Sequence, residues 1–429
     1  MEGRLEEGQR WMAKLEERSG WRRLVTPCLT RTRPIYNWFI FPHSFDKQLV
    51  QELLAELRIG PGQAVWDPFV GAGTTVLACK ELGISAYGTD LLPISVLVSR
   101  AKICDYHPDA LSDALNSFTY RIRSGTQDRF ADVAIVHEAL PLRIRLRISS
   151  LLEQIETLDE PARLFFTVAL IGILENLSYT VKSGGWLRLD LNKRVSEKDV
   201  KSLFVQRASM MLDHVRTVAR SRVHPFYQTV EGGTSSHVDV WIGDARFEQL
   251  PQPVDAVITS PPYLNRHDYT RVFALELALV AVNTNQELKE LRYQTLRSHV
   301  EARAPKQVKP NGYKPPVLLN KVLEAIETRG VNNTRILETI RGYFEDIYHV
   351  LTVIRENLKP GGVAALVLGN TRFSGVMIPV DLIVAEMGQN LRLEPEKIIV
   401  ARYRGNSAQQ MGVYGREEAR ESVIIFRKS

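Results

Sequence analysis

Apolar residues recur along this chain at two spacings, and the alternation of the two outlines an α/β fold. Leu49, Val50, Leu53, Leu54 and Leu57 repeat at helical intervals within Phe45–Leu57, and Gly60-Pro61-Gly62 ends the run. Ala64-Val-Trp66 reads as a short strand entering the turn Asp67-Pro-Phe-Val-Gly-Ala-Gly-Thr-Thr75. A helix over Val76 to Leu82 and a strand over Ser85 to Asp90 complete a βαβ unit. The alternation then lapses, because residues 104–236 carry mostly helical spacing. Strands resume at Val238-Asp-Val-Trp-Ile242 and at Asp255-Ala-Val-Ile-Thr259. Helix Ile336–Leu358 stops at Lys359-Pro-Gly-Gly362, and strand Val363–Leu368, helix Val380–Gln389 and strands Glu396–Tyr403 and Glu421–Arg427 follow. The pattern predicts a doubly wound sheet with a mainly helical insertion. Residues 1–20 read as a charged surface helix or a frayed arm.

Composition narrows this picture only modestly. Among 429 residues, 44% hydrophobic and 24% charged content is ordinary for a soluble globular protein of one large or two smaller domains. A formal charge of +6 leans toward a polyanionic partner. Three cysteines (Cys28, Cys79, Cys104) with no CxxC pair indicate neither a disulfide framework nor a cysteine zinc site, and no metal ligand set is evident. The start, Met1-Glu-Gly-Arg-Leu-Glu-Glu, is too charged for a signal peptide. The most apolar stretch, Leu164 to Leu174, is broken by Thr167 and Gly172 and is too short to span a bilayer. A cytoplasmic location without a membrane partner is expected.

Candidate chemistry gathers at strand ends, where open α/β sheets build their sites. Gly71 and Gly73 stand where a strand must turn sharply into a helix and lets backbone approach a ligand. Val76 replaces the third glycine of a dinucleotide fingerprint, and no Gly-Lys-Ser/Thr follows as a P-loop requires. Asp67 places a carboxylate beside the turn, which repels pyrophosphate but suits a cationic amino-acid moiety. Asp90, about twenty residues after the glycines, suits ribose hydroxyls. Asp244, in Gly243-Asp244-Ala245, suits an adenine amino group. Three carboxylates at three strand ends around a glycine turn fit S-adenosylmethionine better than NAD or ATP.

Ser260-Pro-Pro-Tyr263 follows the strand Asp255–Thr259 directly. Two prolines fix the backbone and withhold their own N–H groups, so nearby carbonyls stay free to accept hydrogen bonds. With a serine hydroxyl and a tyrosine face, the tetrad is suited to holding a flat ring that bears an amino group.

Asp67-Pro-Phe-Val-Gly-Ala-Gly-Thr-Thr75 with the downstream Ser260-Pro-Pro-Tyr263 resembles the amino-methyltransferases of DNA, which methylate cytosine at N4 or adenine at N6. The resemblance covers roughly 30–100, 238–280 and 340–429. It implies a Rossmann-like methyltransferase sheet, S-adenosylmethionine as cofactor and double-stranded DNA as partner. Asp67, Phe69, Gly71, Gly73, Thr74, Asp90, Leu91, Asp244 and Ala245 would then bind the cofactor, and Ser260, Pro261, Pro262 and Tyr263 would act on the base. Phe41-Pro-His-Ser-Phe-Asp46 resembles the segment that closes over the methionine end of the cofactor. Serine at the first tetrad position goes mostly with the N4-cytosine enzymes of this family, so cytosine is expected. The alternatives are an N6-adenine DNA enzyme, an RNA base-amine methyltransferase, and a catalytically silent nucleic-acid-binding module.

Three regions result: an arm and cofactor-binding half (1–103), the insertion as a target-recognition region (104–236), and a catalytic half (237–429) with a basic loop at about 285–330. Candidate nucleic-acid contacts are Asn265, Arg266 and Tyr269 behind the tetrad. In the insertion they are Arg143, Arg145 and Arg147, which share one face only if extended, and the basic stretch from Lys193 to Arg222. Arg297, Arg303, Lys306, Lys309, Tyr313 and Lys314 are the candidates in the later loop. Pro27-Cys28 and Glu175-Asn-Leu are similar to elements of the C5-cytosine methyltransferases, but their places in the chain mark them as structural. No nuclease signature accompanies these elements, so a stand-alone modification enzyme beside a separate restriction endonuclease is expected.

Overall fold

The computed structural model describes residues 10–121, 127–183, 185–220, 236–264, 267–304, 312–330, 335–405 and 408–429. Eight strands form the central sheet: β1 (Leu15–Glu17), β2 (Ala64–Asp67), β3 (Ser85–Asp90), β4 (Val238–Ile242), β5 (Val254–Thr259), β6 (Leu358–Gly369), β7 (Leu393–Gly405) and β8 (Glu418–Lys428). Their order across the sheet is β1-β7-β8-β6-β5-β2-β3-β4, and β8 alone runs antiparallel to its neighbours. From β2 the chain winds one way through β3 and β4, then returns to lay β5 and β6 on the other side. The reversal falls between β2 and β5, where a doubly wound sheet opens its crevice. The expected Rossmann-like architecture is therefore the observed one.

Near-continuous burial of β2 and β5 follows from cover on both faces. Successive residues alternate between two cores. Val65, Ile258, Val367 and Val423 pack on one face with α1 (Lys47–Leu57) and α2 (Thr74–Glu81). Trp66, Val257, Leu366 and Ile424 pack on the other, with α4 (Arg335–Asn357) and α5 (Val380–Asn390). The predicted β2, β3, β4, β5 and the two last strands lie within a few residues of these bounds. α3 (Pro93–Ile103) follows β3 and leads into the insertion.

The insertion is mainly helical, as its spacing predicts, with long helices at Leu142–Glu156, Ala162–Ile171 and Asp199–Arg220. Phe165, Phe166, Leu170, Phe204 and Met211 form its core, which is continuous with Ile94 and Val98 of α3. It also contains an unexpected hairpin, Thr180–Ser183 with Trp186–Leu189. Among the described residues no helix is long and apolar enough to cross a membrane.

The N-terminal arm differs from expectation. Leu15–Glu17 pairs in parallel with Ile398–Val400 as an edge strand, and Trp11 is buried beneath it. One indole sets the matter, since burying it outweighs the charges that suggested a solvated helix. Those charges then protect the sheet edge. Residues 1–9 lie outside the described residues.

A buried ionic cluster ties the later loops to the sheet. Asp346 of α4 is fully buried and accepts from Arg297 N (2.9 Å), Nε (3.1 Å) and Nη2 (2.6 Å), and from Arg246 Nη1 (3.3 Å). Replacing Asp346 with alanine leaves two largely buried guanidiniums without this partner. Urea unfolding should show a loss of about 3–5 kcal/mol, and a loss below 1 kcal/mol would contradict the role given to the cluster.

Candidate functional site

A cleft opens at the carboxyl ends of β2, β3, β4 and β5, on the reversal in winding. It holds about 1060 Å³ of empty space including its open mouth, ample for a nucleoside-sized ligand and a base together. Asp67, Phe69, Gly71, Thr74, Asp90, Leu91, Asp244 and Ala245 line one part of it, and Ser260, Pro261, Pro262 and Tyr263 line another. Tertiary folding thus brings together all but one of the candidate residues read from the chain.

Gly73 is the exception and does not line the cleft. It sits at φ +79°, and a Cβ there would lie 2.9 Å from Ser99 Oγ and 3.0 Å from Ser99 Cα. Its glycine requirement comes from close packing of the turn on α3, not from a ligand. At Gly71, φ +49°, a Cβ would meet only Phe69 O, at 3.7 Å, and the N–H donates to Asp90 Oδ2 (3.0 Å).

The first carboxylate lines the cleft, but Asp67 is only 2% exposed and its oxygens are engaged within the protein. It accepts from Thr259 Oγ1 (2.6 Å), Thr75 Oγ1 (2.7 Å) and Phe69 N (3.1 Å), joining β5, α2 and the turn. Burial raises its pKa to about 6, against the pull of those hydrogen bonds. Asp90 also rises to about 6 through burial, opposed by backbone N–H groups including Leu92 and Gly71. Unlike Asp67, it remains partly open to the cleft. Asp244 is held by Arg246, with Nε to Oδ1 at 2.9 Å and Nη2 to Oδ2 at 2.7 Å, and is 24% exposed.

In the tetrad, Ser260 Oγ donates to Val367 O at 3.3 Å. The Tyr263 ring is buried between Gly369, where a Cβ would stand 2.9 Å from it, and the cleft. Its hydroxyl donates to Glu421 (2.8 Å), and burial beside that carboxylate raises its pKa well above the ordinary value.

α3 fastens the turn from below. Ser99 Oγ donates to Gly71 O (3.1 Å), and the buried Lys102 ammonium donates to Ala72 O (2.9 Å), Phe39 O (2.8 Å) and Tyr36 O (2.9 Å). Desolvation lowers Lys102 to about 7. The same contacts fix the approach to Phe41–Phe45, which lines the cleft as expected for a covering segment. Phe41 packs on Phe273 with centroids 4.5 Å apart, and Tyr269 donates to Pro42 O (3.3 Å).

Tyr269 and His267, from the polar segment expected behind the tetrad, line the cleft, whereas Thr295, Ser298 and His299 had no signal in the chain. His43 Nε2 meets His267 Nε2 at 3.1 Å, and burial holds His43 down to about 3, so it is neutral at ordinary pH. Isolated histidines in loops carry no spacing pattern, so only the fold could pair them. Asn265 and Arg266 lie outside the described residues.

The proposed phosphate face at Arg143, Arg145 and Arg147 does not form, because this stretch is helical. Arg145 pairs with Asp128 and Arg147 lies 3.7 Å from Glu197. Lys193 and Arg207 donate to backbone carbonyls, and Arg216 pairs with Asp213. Arg222, Lys306 and Lys309 lie outside the described residues. Tyr313 packs on Tyr348, with ring centroids 5.2 Å apart.

Comparison with known proteins adds to this geometry. Residues 8–94 match a family model described as a DNA methylase of the N6/N4 type. The chain is 32% identical over 451 residues to the Type II methyltransferase M.BsoBI of Geobacillus stearothermophilus, covering 95% of this chain and 88% of that one. It is 30% identical over 433 residues to the Type II methyltransferase M.AvaI of Anabaena variabilis, covering 95% and 89%. The Type II methyltransferase M.MvaI of Kocuria varians is 23% identical over 402 residues, covering 83% and 82%.

The buried Asp67 sets a pH signature. It titrates near 6 when folded and near 4 when unfolded, so the folded state holds the extra proton between these values. The associated stability is complete below about 4 and is lost as pH rises through 6, by about 3 kcal/mol. Urea titrations of wild type and Asp67→Asn across this window should show the variant gaining on wild type by that order. A difference independent of pH would contradict the assignment.

Proposed function

The chain belongs to the Type II DNA methyltransferases of the N6/N4 amino-methylating kind, and on that premise we propose that it methylates the exocyclic N4 amine of a cytosine in double-stranded DNA. The observation that carries the base assignment is Ser260, whose hydroxyl donates to Val367 O and so presents lone pairs to the cleft. An aspartate there would set a carboxylate against that carbonyl oxygen, a repulsive pairing. The serine suits an incoming NH₂, and serine at this place goes with N4-cytosine chemistry in the resembled family.

S-adenosylmethionine supplies a methyl group on a positively charged sulfur. The cleft fits it: Asp90 offers acceptor capacity to ribose hydroxyls while Leu92 N and Gly71 N fix its orientation. Asp244, steadied by Arg246, would accept from the adenine amino group, with Phe69, Thr74, Leu91 and Ala245 as walls. Gly73 holds the turn in shape, and Asp67, in the cleft wall, ties the turn to β5 and α2.

An exocyclic amine is a poor nucleophile because its lone pair is delocalised into the ring. Ser260 Oγ and the Pro261 carbonyl accept its two N–H hydrogens, drawing the nitrogen toward tetrahedral geometry and aiming its lone pair. This is positioning with electrostatic stabilisation and needs no covalent intermediate. Tyr263, fixed by Glu421, forms a wall for the base, which must leave the duplex to enter. A separate restriction endonuclease would act on the same sites.

Labelled S-adenosylmethionine with mixed-sequence duplex DNA, followed by nucleoside mass spectrometry, should yield N4-methylcytosine. N6-methyladenine would retain the family and overturn the base, while label on RNA alone would overturn the DNA substrate. Ser260→Ala should lower turnover by roughly a hundredfold with cofactor affinity kept. Asp90→Ala should weaken cofactor binding about tenfold or more. Unchanged affinity in both Asp90→Ala and Asp244→Ala would contradict the cofactor site.

A further inference from the structure

Beside the cleft lies a second, strongly polar groove, and the two share a wall. Along the segment 295–304, Leu296, Ser298 and His299 face the cleft, whereas Arg297, Val300 and Arg303 face the groove. The opposite bank is the first turn of α4, with Arg335, Glu338 and Thr339. α4 descends along the sheet and runs directly into β6, so its first turn stands at the level of the strands' carboxyl ends. The groove is therefore on the same face of the molecule as the cleft.

Its lining includes six cationic side chains and two carboxylates. Not all of that charge is available. Arg292 is held by Asp268 (2.8 Å), and Arg297 by Asp346 (2.6 Å) and Glu345 (3.0 Å), so these two form the floor. Lys289 and Arg303 are exposed and have no carboxylate partner among the described residues. The Arg303 guanidinium lies 3.7 Å from the Tyr293 ring centroid, and its backbone N donates to Tyr293 O (3.1 Å). Stacking keeps that planar donor set in place before any ligand arrives. Lys289 stands one turn before Tyr293 on the helix Asn285–Gln294, on the same face.

We propose that this groove grips phosphates of the DNA strand that delivers its base to the cleft, with Lys289 and Arg303 as direct contacts. The inference rests on the DNA reading above and deepens it. A nucleotide turned into the cleft leaves its sugar and phosphates at the rim, and one wall separates that rim from the two unpaired cations. In the insertion Arg145, Arg147, Lys193, Arg207 and Arg216 are engaged within the protein, and the exposed Arg143, Arg194, Lys198 and Arg220 line neither the cleft nor the groove. Phosphate contacts position the duplex and carry no base preference, so the groove governs affinity and not the target sequence.

The test compares wild type with Lys289→Gln, Arg303→Gln and the double variant. Binding to cognate and non-cognate duplexes is measured across a salt series, and cofactor affinity without DNA serves as the folding control. Each single variant should lower the slope of log affinity against log salt by about 1, and the pair by about 2, equally for both duplexes. At roughly 0.1 M salt the double variant should bind about tenfold more weakly or worse. Unchanged slopes in a double variant that binds cofactor normally would overturn the groove while leaving the DNA reading intact. A wild type that binds and methylates RNA but not duplex DNA would overturn that reading and the groove's assignment with it.

Discussion

Thr259, Thr75 and the Phe69 N–H all converge on one carboxylate, Asp67, which lies almost wholly out of water. A carboxylate so placed without partners would cost several kcal/mol. Its three donors come from β5, α2 and the turn between β2 and α2, so these elements have little freedom to shift separately. Both working parts of the site grow from this knot. The cofactor turn begins one residue after Asp67, and the catalytic tetrad begins one residue after Thr259.

The same device recurs around the rim of the cleft. Lys102 holds three carbonyls from the glycine turn and the segment preceding the cover. Asp346 gathers Arg246 and Arg297, and through Arg246 it steadies Asp244. Buried charges of this kind add little net stability, but each tolerates few alternative arrangements. A site built from loops gains its definition this way. Their demand for partners also explains where positive charge remains at the surface. Arg145, Arg147, Lys193, Arg207 and Arg216 of the insertion are satisfied internally, whereas Lys289 and Arg303, beside the cleft, have no carboxylate partner among the described residues. The formal charge of the whole chain shows none of this.

The sheet was legible wherever burial on both faces produced a continuous apolar run. Asp255–Thr259 and Val363–Leu368 are such runs, and the amphipathic spacing of Leu49, Leu53 and Leu57 was equally plain. Less legible were elements whose cause is remote in sequence. β1 forms because Trp11 finds a buried place and β7 has an open edge, neither of which is visible within residues 10–17. The insertion's hairpin Thr180–Leu189 is short and mixed in composition. Arg143, Arg145 and Arg147 alternate like a strand, but the helix buries Ile144, Ile148 and Leu151 along one face, and that packing overrides the local pattern.

By itself the sequence determined the fold class, the order of the strands along the chain and most of the residues that meet in the cleft. These depend on local spacing and on motifs held at strand ends, which are properties of neighbouring residues. Tertiary structure decided what each of those residues does. It tied Asp67, in the cleft wall, to Thr259 and Thr75 and gave Gly73 to packing against Ser99. It also paired His43 with His267 across 224 positions. Burial and partnership set the ionisation, reach and freedom of a polar group, and both are fixed only when distant segments meet.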